Sequence, residues 1–348
     1  MWAVKETLAP KGEMMRSTVK DVAARAGVSP KTVSNVVNGL VPVSERTKAR
    51  VEAAIAELDY IPNLSARGLR NGRSGVIALA LPDLGTPYSA EVAHQIVEVA
   101  HEQGWSVQLE ETGHDPHREL DLVSKARANL IDGLILNPIA LDVSAIRTGG
   151  NLPPVVMIGE VEQHQVDHVG LDNFSAARDM TLALAAGGRR RIAILGATEK
   201  RRTATANIRT MGYRQALKDL GIDHDPHLEI ACDEWTPGGS ARALGKYLRD
   251  NQLPEAIFCF TDSLAIGALS ILHLEGHRVP QDVLVAGFDD IDHGQFAVPA
   301  LTTISFDKRA LAEEVMRLLR GRMADRKREP VQLTLPYQLI SRASSAAH

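Results

Sequence analysis

The stretch that decides the fold is residues 18–38, which read TVKDVAARAGVSPKTVSNVVN. Its first half places apolar residues at helical spacing behind Thr18, which can cap a helix, and Asp21 stands at the capping-box position three residues later. Gly27 falls where the chain must reverse, because glycine takes a positive φ without steric cost. Ser29 can then cap a second helix. The stretch therefore predicts two short helices joined by a tight turn.

The second helix is predicted to have an apolar and a polar face. Val33, Val36 and Val37 fall on the apolar side. The polar residues near its start are Lys31, Thr32, Ser34 and Asn35. A helix-turn-helix presents such residues to base edges in the major groove. A helical hairpin without a DNA-binding role is the alternative, but the caps, the turn and both faces agree with a helix-turn-helix. Residues 45–58, capped by Ser44, predict a third helix that completes the domain.

Charge and composition support this interpretation. The chain has 348 residues, which suits two or three domains, and a net charge of −4. Residues 16–73 hold ten Lys and Arg against five Asp and Glu, so the remainder is acidic. A basic head on an acidic body is typical of a DNA-binding module attached to a domain that should not bind DNA.

The sequence also predicts where the protein resides. No apolar run reaches the length of a membrane span, and residues 1–16 lack the apolar core of a secretory signal. We therefore expect a cytoplasmic protein with a disordered lead-in at 1–16. Cys232 and Cys259 lie in apolar surroundings, which predicts buried thiols rather than a disulfide.

From residue 75 onward, short apolar runs alternate with helical stretches. The predicted strands are 75–81, 106–109, 133–136, 155–159, 191–196, 229–232, 256–260 and 283–288. The predicted helices are 90–103, 118–129, 173–186, 210–220, 239–251 and 262–275. This alternation predicts parallel sheets covered on both faces. Because the units outnumber those of one doubly wound sheet, we expect two lobes, with a ligand cleft at the carboxyl ends of their strands.

Several short motifs match a known family. They are DVA at 21–23, AGVS at 26–29, TVS at 32–34, VVN at 36–38, LDYIPN at 58–63 and ARGL at 66–69. With them the chain closely resembles the LacI/GalR family of bacterial transcriptional repressors, and the resemblance continues to about residue 343. It implies an N-terminal all-α helix-turn-helix three-helix domain and an α/β two-lobed periplasmic-binding-protein-like core.

The resemblance also implies domain boundaries. We expect a lead-in at 1–16, a DNA-binding domain at 17–61, a hinge helix and linker at 62–73, and an effector-binding and dimerisation core at 74–343. Within the core, lobe 1 is predicted at about 74–172 and 305–328, and lobe 2 at about 173–302 and 330–343.

The family binds a pseudopalindromic operator in double-stranded DNA as a dimer. Lys31 and Asn35 are the expected base readers, since lysine suits guanine acceptors and asparagine suits adenine. The expected phosphate contacts are Ser17, Thr32, Ser34 and Asn38. In the hinge, the matching DNA contacts are Asn63, Ala66, Arg67 and Leu69. Leu69 matches the leucine that wedges into the central base step from the minor groove.

The family binds its effector between the lobes. The matching positions are Tyr88, Glu160, Arg209, Trp235, Thr261, Asp289 and Phe306. Carboxylates and guanidinium groups can bond sugar hydroxyls, and aromatic rings can cover a sugar face, so a sugar is the favoured effector. Thr261 stands where asparagine is usual and Phe306 where glutamine is frequent. Taken singly, a loop aspartate or arginine is more often a turn cap or a surface ion pair.

Other functions remain open at this point. A nucleobase corepressor could stack on Trp235 and Phe306, and an activator is a further alternative. A secreted sugar-binding protein would share the lobes but would need a signal peptide and no helix-turn-helix. We find no phosphate-binding loop or catalytic motif, so we expect neither an enzyme nor a cofactor. The HDPH motifs at 114–117 and 224–227 are interpreted as loop residues and not as a metal site. The end at His348 lacks a leucine heptad, which favours a homodimer over a tetramer.

Overall fold

A computed structural model describes residues 17–38, 41–60, 74–113, 115–126, 131–138, 154–161, 164–197 and 203–346. The predictions for the lead-in at 1–16 and for the hinge at 62–73 lie outside these residues. The chain divides into two compact units, Met1–Gly72 and Arg73–His348, which are described separately below.

The described part of the N-terminal unit contains three helices. They are α1 (Val19–Ala26), α2 (Pro30–Asn38) and α3 (Glu45–Glu57). As predicted, Thr18 and Asp21 form a capping box, and Ser44 caps α3. The helices enclose one small cluster of buried side chains: Val22, Ala23, Ala26, Val33, Val51 and Ala54. Val36 and Val37 are only partly buried at its edge. The three-helix prediction is confirmed.

Gly27 makes the turn between α1 and α2, as its position in the sequence suggested. Its φ is 62°, in the left-handed region, and its amide caps the end of α1. A Cβ at this position would lie 2.7 Å from Arg50 Nη2. Arg50 donates hydrogen bonds to the carbonyls of Ala26 and Gly27, so α3 is tied directly to the turn. The left-handed backbone conformation favours glycine here, whereas the tip of the Arg50 side chain could move to make room for a Cβ.

The C-terminal unit alternates strands and helices. Its first elements are β1 (Val76–Leu81), α4 (Pro87–Glu102), β2 (Ser106–Glu111), α5 (Pro116–Ala126), β3 (Gly133–Leu136), β4 (Val155–Ile158), β5 (Asp167–Leu171) and α6 (Asn173–Ala185). Then follow β6 (Ile192–Ala197), α7 (Ala204–Asp219), β7 (Glu229–Ala231), α8 (Pro237–Asp250), β8 (Ala256–Cys259), α9 (Asp262–Leu274), β9 (Leu284–Ala286) and α10 (Asp292–Gln295). The last elements are β10 (Thr303–Ser305), α11 (Lys308–Ala324), β11 (Gln332–Leu335) and β12 (Gln338–Ile340).

Within the described residues, ten of these strands form two parallel sheets, and β10 and β12 form a two-stranded antiparallel sheet. The sheet of lobe 1 has the order β11-β5-β4-β3-β1-β2, and that of lobe 2 has the order β7-β6-β8-β9. The central strands are continuous apolar runs: β6 is buried throughout, and β1 is buried except at its first residue. This is the pattern of sheets covered by helices on both faces. Together with the helical head, the two-lobed α/β core confirms the predicted fold class.

One boundary prediction was wrong. Residues 330–343 were assigned to lobe 2, but β11 pairs in parallel with β5 of lobe 1. The segment from Tyr337 onward contacts lobe 2: the Tyr337 hydroxyl donates to Asp179 on α6, β12 pairs with β10, and Ser344 exchanges two hydrogen bonds with Val285. The error follows from missing β5, because the edge on which β11 pairs was not recognised. The chain thus passes between lobes after β5, after β10 and again between β11 and β12.

The structure also places the two cysteines and the residues of the two HDPH motifs. Cys232 and Cys259 are both buried and free, as predicted. His117 lies within α5 and His227 within a 3-10 turn, so neither is a simple loop residue, while His114 is outside the described residues. Within the part of the chain that the structure describes, no helix is both long and apolar enough to cross a bilayer.

Candidate functional site

The start of α2 presents the side chains predicted to contact DNA. Lys31 is exposed, and Asn35, one helical turn later on the same side, is partly buried. The hydroxyl of Thr32 lies 2.9 Å from that of Ser29, and its amide donates to the same Ser29 oxygen. Ser34 is also partly buried. The helix cap therefore holds Thr32, while Lys31 is the most accessible of the four.

Of the other predicted DNA contacts, the structure describes the side chain of Ser17 alone. The Ser17 hydroxyl donates a hydrogen bond to the carbonyl of Leu58 at 2.8 Å, which links the start of the head to the end of α3. Asn38 lies at the end of α2, but its side chain is not among those described. Asn63, Ala66, Arg67 and Leu69 lie outside the described residues.

A second candidate site is a cavity of about 170 Å³ between the two lobes, at the carboxyl ends of their strands. Its lining includes all seven side chains that the sequence resemblance selected: Tyr88, Glu160, Arg209, Trp235, Thr261, Asp289 and Phe306. Tyr88, Glu160 and Phe306 come from lobe 1, and the other four come from lobe 2. Open α/β sheets bind ligands at this edge. The folding of the two lobes brings together residues that are far apart in sequence.

Arg209 is the charged centre of the cavity. It lies on α7 with only 3% of its side chain exposed, and its guanidinium stacks 3.4 Å from the centroid of the Phe288 ring. Its Nε donates to Asn173 Oδ1 at 2.9 Å, and its Nη1 donates to the carbonyl of Phe260. These contacts fix the plane of the guanidinium, so that Nη2 faces the carboxylates of the cavity.

Two carboxylates approach Arg209 from different lobes. Glu160 Oε1 lies 3.8 Å from Arg209 Nη2, and Asp289 Oδ1 lies 4.0 Å from the same nitrogen. Both distances exceed those of direct charge-assisted hydrogen bonds. Glu160 also accepts a hydrogen bond of 2.7 Å from the hydroxyl of Thr205. The two carboxylates are thus held near the guanidinium while keeping lone pairs for hydroxyl donors.

Asp289 has an unusual backbone and a perturbed carboxyl group. Its φ is 106° and that of Asp290 is 48°, both in the left-handed region. Burial raises the pKa of Asp289 well above its ordinary value, and the nearby charge of Arg209 opposes that rise. Two adjacent non-glycine residues with positive φ indicate local strain of the kind that accumulates at functional sites.

Aromatic rings form the apolar walls. The rings of Tyr88 and Phe306 meet edge to face, with their centroids 6.3 Å apart. Trp235 packs against Phe260 at 6.2 Å. Burial, followed by the charge of Glu160, raises the pKa of the Tyr88 hydroxyl, so this group stays neutral at physiological pH. The cavity therefore combines flat apolar faces with fixed polar groups, as ligand sites commonly do.

The hydroxyl of Thr261 is less available to a ligand than the polar groups of the other predicted residues. It lines the cavity, but its hydroxyl caps α9 by accepting a hydrogen bond of 3.2 Å from the Leu264 amide. Sequence reasoning also missed polar residues of the site, namely Asn137, Asn173 and Thr205. Asn137 directly follows β3, so the rule that found Glu160 after β4 would have found it too. Thr205 was missed because the helix that carries it was predicted to begin at residue 210.

The HDPH motif near β7 makes contacts of another kind. His224 Nε2 lies 2.7 Å from Glu229 Oε1, and Arg214 holds the same carboxylate through two hydrogen bonds of 2.6 and 2.7 Å. Among the side chains that the structure describes, no group of three or more His, Cys, Asp or Glu could hold a metal ion.

Comparison with known proteins agrees with both parts of the fold. A family model described as "Bacterial regulatory proteins, lacI family" matches residues 18–63, and one described as "Periplasmic binding protein-like domain" matches residues 181–345. The HTH-type transcriptional repressor CytR of Escherichia coli (strain K12) is 33% identical over 333 residues, covering 95% of this chain and 97% of that protein.

Two solved structures extend the comparison. The Lac repressor dimer bound to operator and the anti-inducer ONPF has a TM-score of 0.81 at 28% identity, covering 95% of this chain and 100% of that one. The complex of the transcriptional regulator CelR with cellobiose has a TM-score of 0.69 at 30% identity, covering 94% and 100%.

A helix-turn-helix head followed by a two-lobed core with an interlobe cavity defines a class of ligand-responsive regulatory proteins. On the identity to CytR across nearly the full length of both proteins, the chain belongs to the lacI family of bacterial regulatory proteins.

Proposed function

We propose that this protein is a transcriptional repressor that binds a pseudopalindromic operator as a homodimer and is released when a small sugar binds between its lobes. The name of the relative CytR, a transcriptional repressor, supports the first part. The effector is supported by one observation above all: buried Arg209 faces two carboxylates, Glu160 and Asp289, inside an aromatic-walled cavity. Such a set can bond several hydroxyls of a polyol at fixed angles.

The size of the cavity favours a small effector. Its volume of about 170 Å³ is below the roughly 300–1,000 Å³ of sites that take drug-sized ligands. A monosaccharide is therefore the favoured class. The related CelR was solved with cellobiose, so a disaccharide belongs in the same test.

A corepressor that resembles a nucleobase is the second candidate. Trp235, Tyr88 and Phe306 provide aromatic faces on which a base could stack, and Asn137 adds an amide that could pair with its edge. This candidate predicts the opposite allosteric sign, because the ligand would then strengthen operator binding.

Two exposed hydrophobic side chains support the proposed homodimer. Phe296 is 75% exposed and Val298 is 94% exposed, two residues apart in the loop after α10. Neighbouring exposed hydrophobic side chains on a surface often mark a protein–protein interface. Sedimentation velocity of the wild type and of a Phe296→Ser, Val298→Ser variant tests this assignment. We expect a dimer for the wild type and a shift toward monomer for the variant.

The function is tested by fluorescence anisotropy of labelled DNA from upstream of the protein's own gene, at fixed salt. The titrants are D-glucose, D-ribose, D-fructose, cellobiose, adenine, guanine and cytosine. Release by one sugar supports the proposal, and binding that requires a nucleobase replaces it with the second candidate. Lys31→Ala removes an expected base contact, and Lys246→Ala, on an exposed part of α8, is the matched control.

A further inference from the structure

Lobe 1 holds the strained backbone that carries Asp289 in lobe 2. The ammonium group of Lys308, at the start of α11, donates to the carbonyl oxygen of Asp289 at 2.7 Å and to that of Asp290 at 2.9 Å. The same ammonium pairs with Glu91 on α4 at 3.0 Å. Glu91 in turn accepts a hydrogen bond of 2.8 Å from the amide of Asp292.

These contacts cross from one lobe to the other at a single place. Glu91 and Lys308 lie on two helices that pack against each other in lobe 1, while residues 289–292 follow β9, the edge strand of lobe 2. We call these two side chains, with the three backbone groups they bind, the interlobe clasp. All its bonds on the lobe 2 side go to main-chain atoms, so the clasp depends on backbone conformation and not on the side chains of lobe 2.

The clasp is sheltered from solvent. The Lys308 side chain is 13% exposed and that of Glu91 is 28% exposed. The Lys308 ammonium also lies 5.6 Å from the centroid of the Phe306 ring, which lines the cavity. Solvent and salt screen a partly buried pair less than an exposed one, and loss of either partner leaves a partly buried charge without its counter-charge.

The clasp binds the two residues of lobe 2, Asp289 and Asp290, whose φ angles are positive although they are not glycine. A positive φ at two consecutive aspartates persists only where surrounding contacts stabilise it. On one side the Asp289 amide donates to the carbonyl of Ile304, and Arg342 pairs with Asp290 at 2.8 Å. Lys308 binds both carbonyls from the other side. Separation of the lobes at this point therefore removes the support that Lys308 gives to this backbone.

We propose that the Glu91–Lys308 clasp sets the resting spacing of the two lobes and fixes Asp289 in its cavity-facing position. This role rests on the proposed function, in which a sugar acts by binding between the two lobes. In the absence of effector, the clasp determines how far the lobes separate. The effector then changes the lobe separation from this starting value.

The test needs no effector. Trp235 lines the cavity, and the chain has three tryptophans. In a full-length background carrying Trp2→Phe and Trp105→Phe, Trp235 alone fluoresces, and acrylamide quenching reports its accessibility. We expect Lys308→Met to raise the quenching constant by about twofold, because losing a contact of about 0.5 kcal/mol raises the population with separated lobes, in which acrylamide reaches Trp235, by that factor. Lys308→Arg keeps donors for both carbonyls and should remain near the parent, as should the exposed control Lys246→Met.

An equal quenching constant for Lys308→Met and Lys246→Met would overturn the clasp. If Lys308→Met does not fold, Glu91→Ala decides the question by the same readout, because it removes the partner of Lys308 and the acceptor of the Asp292 amide. Because no sugar or DNA is used, this result stands apart from the operator titration. The clasp could be present in a protein that no sugar releases from DNA, and it could be absent from a protein that a sugar does release.

Discussion

The DNA-binding head and the interlobe cavity are built in opposite ways. The head takes its core from residues 19–60 and its expected base readers from one turn of one helix. The cavity takes its lining from residues spread between 82 and 306, on both lobes. The head is therefore encoded locally and depends on a few small apolar side chains, whereas the cavity depends on charges that only the complete fold brings together. Substitutions in the two regions should fail in different ways.

The largest effect is expected from a charge placed in the core of the head. Val33 is fully buried among α1, α2 and α3. Val33→Asp buries an unpaired carboxylate in a cluster too small to accommodate it, so we expect the head to unfold and operator affinity to fall by more than about 100-fold. Anisotropy on operator DNA measures the loss.

The core provides the control for Val33→Asp. Quenching and emission of Trp235 should remain those of the wild type, because the C-terminal unit has its own core clusters. A simultaneous loss of the C-terminal fold would show that the two units do not depend on separate cores.

A smaller and more selective effect is expected in the cavity. Asp289→Asn keeps the shape of the side chain, and asparagine tolerates a positive φ better than most residues. It removes the carboxyl oxygen that faces Arg209 and would accept ligand hydroxyls. We expect affinity for the releasing sugar to fall by about 10- to 100-fold, the usual cost of a lost charged hydrogen bond. Ligand-free operator binding should be retained.

In the head, Lys31 and Asn35 are expected to affect specificity rather than folding. Lys31→Ala and Asn35→Ala should each lower operator affinity by about 1–3 kcal/mol and relax selectivity at one base pair of each half-site. Binding to operators with single substitutions measures the selectivity. Thr32→Val should instead lower the stability of α2, because the Thr32 hydroxyl contacts Ser29 at its cap. Equal losses on operator and random DNA would reassign Lys31 and Asn35 to phosphate contacts.

The smallest expected effect, taken per pH unit, is a pH dependence of the stability of the C-terminal unit. Burial raises the pKa of Asp262 to about 7, although hydrogen bonds from Thr303 and the Ile291 amide oppose the rise. The folded state then binds the proton more tightly than the unfolded state, whose carboxyl has an ordinary pKa near 3.8. The stability that the proton provides is present below about pH 4 and is lost as pH rises toward 7.

Urea unfolding between pH 4 and 8 checks this sign. Relative to Asp262→Asn, which cannot titrate, the wild type should lose stability with rising pH by at most about 1.4 kcal/mol per unit. The slope should flatten above pH 7. If the difference in unfolding free energy between the wild type and Asp262→Asn does not change with pH, then Asp262 has the same pKa in the folded and unfolded states.

The two regions also differ in how far the sequence predicted them. The head was predicted almost to the residue, because its signals are local: the Thr18–Asp21 box, Gly27 at the turn and the valines of α2. In the core, the continuous apolar strands were found, but β5 was missed. Its sequence, DHVGL, contains Asp167, which is fully buried only because Arg322 and Arg328 pair with it at 3.0 and 2.8 Å.

No pattern within β5 reports those distant arginines, so it was not recognised as a strand. Burial alone would raise the pKa of Asp167, but hydrogen bonds from Arg322, Arg328 and the Val331 amide lower it below its ordinary value. One of the missed site residues, Asn173, has the same explanation. Asn173 matters because it bridges Glu160 and Arg209, and this bridge exists only once the lobes meet.

The central claim is that cavity and operator share one coupling free energy, and linkage tests it most directly. The affinity of the releasing sugar would be measured by Trp235 fluorescence on the free protein and on the protein saturated with operator. The account predicts that operator weakens sugar binding by the same factor by which the sugar weakens operator binding. A sugar affinity unchanged by saturating operator would contradict it, and the cavity would then have no allosteric connection to DNA.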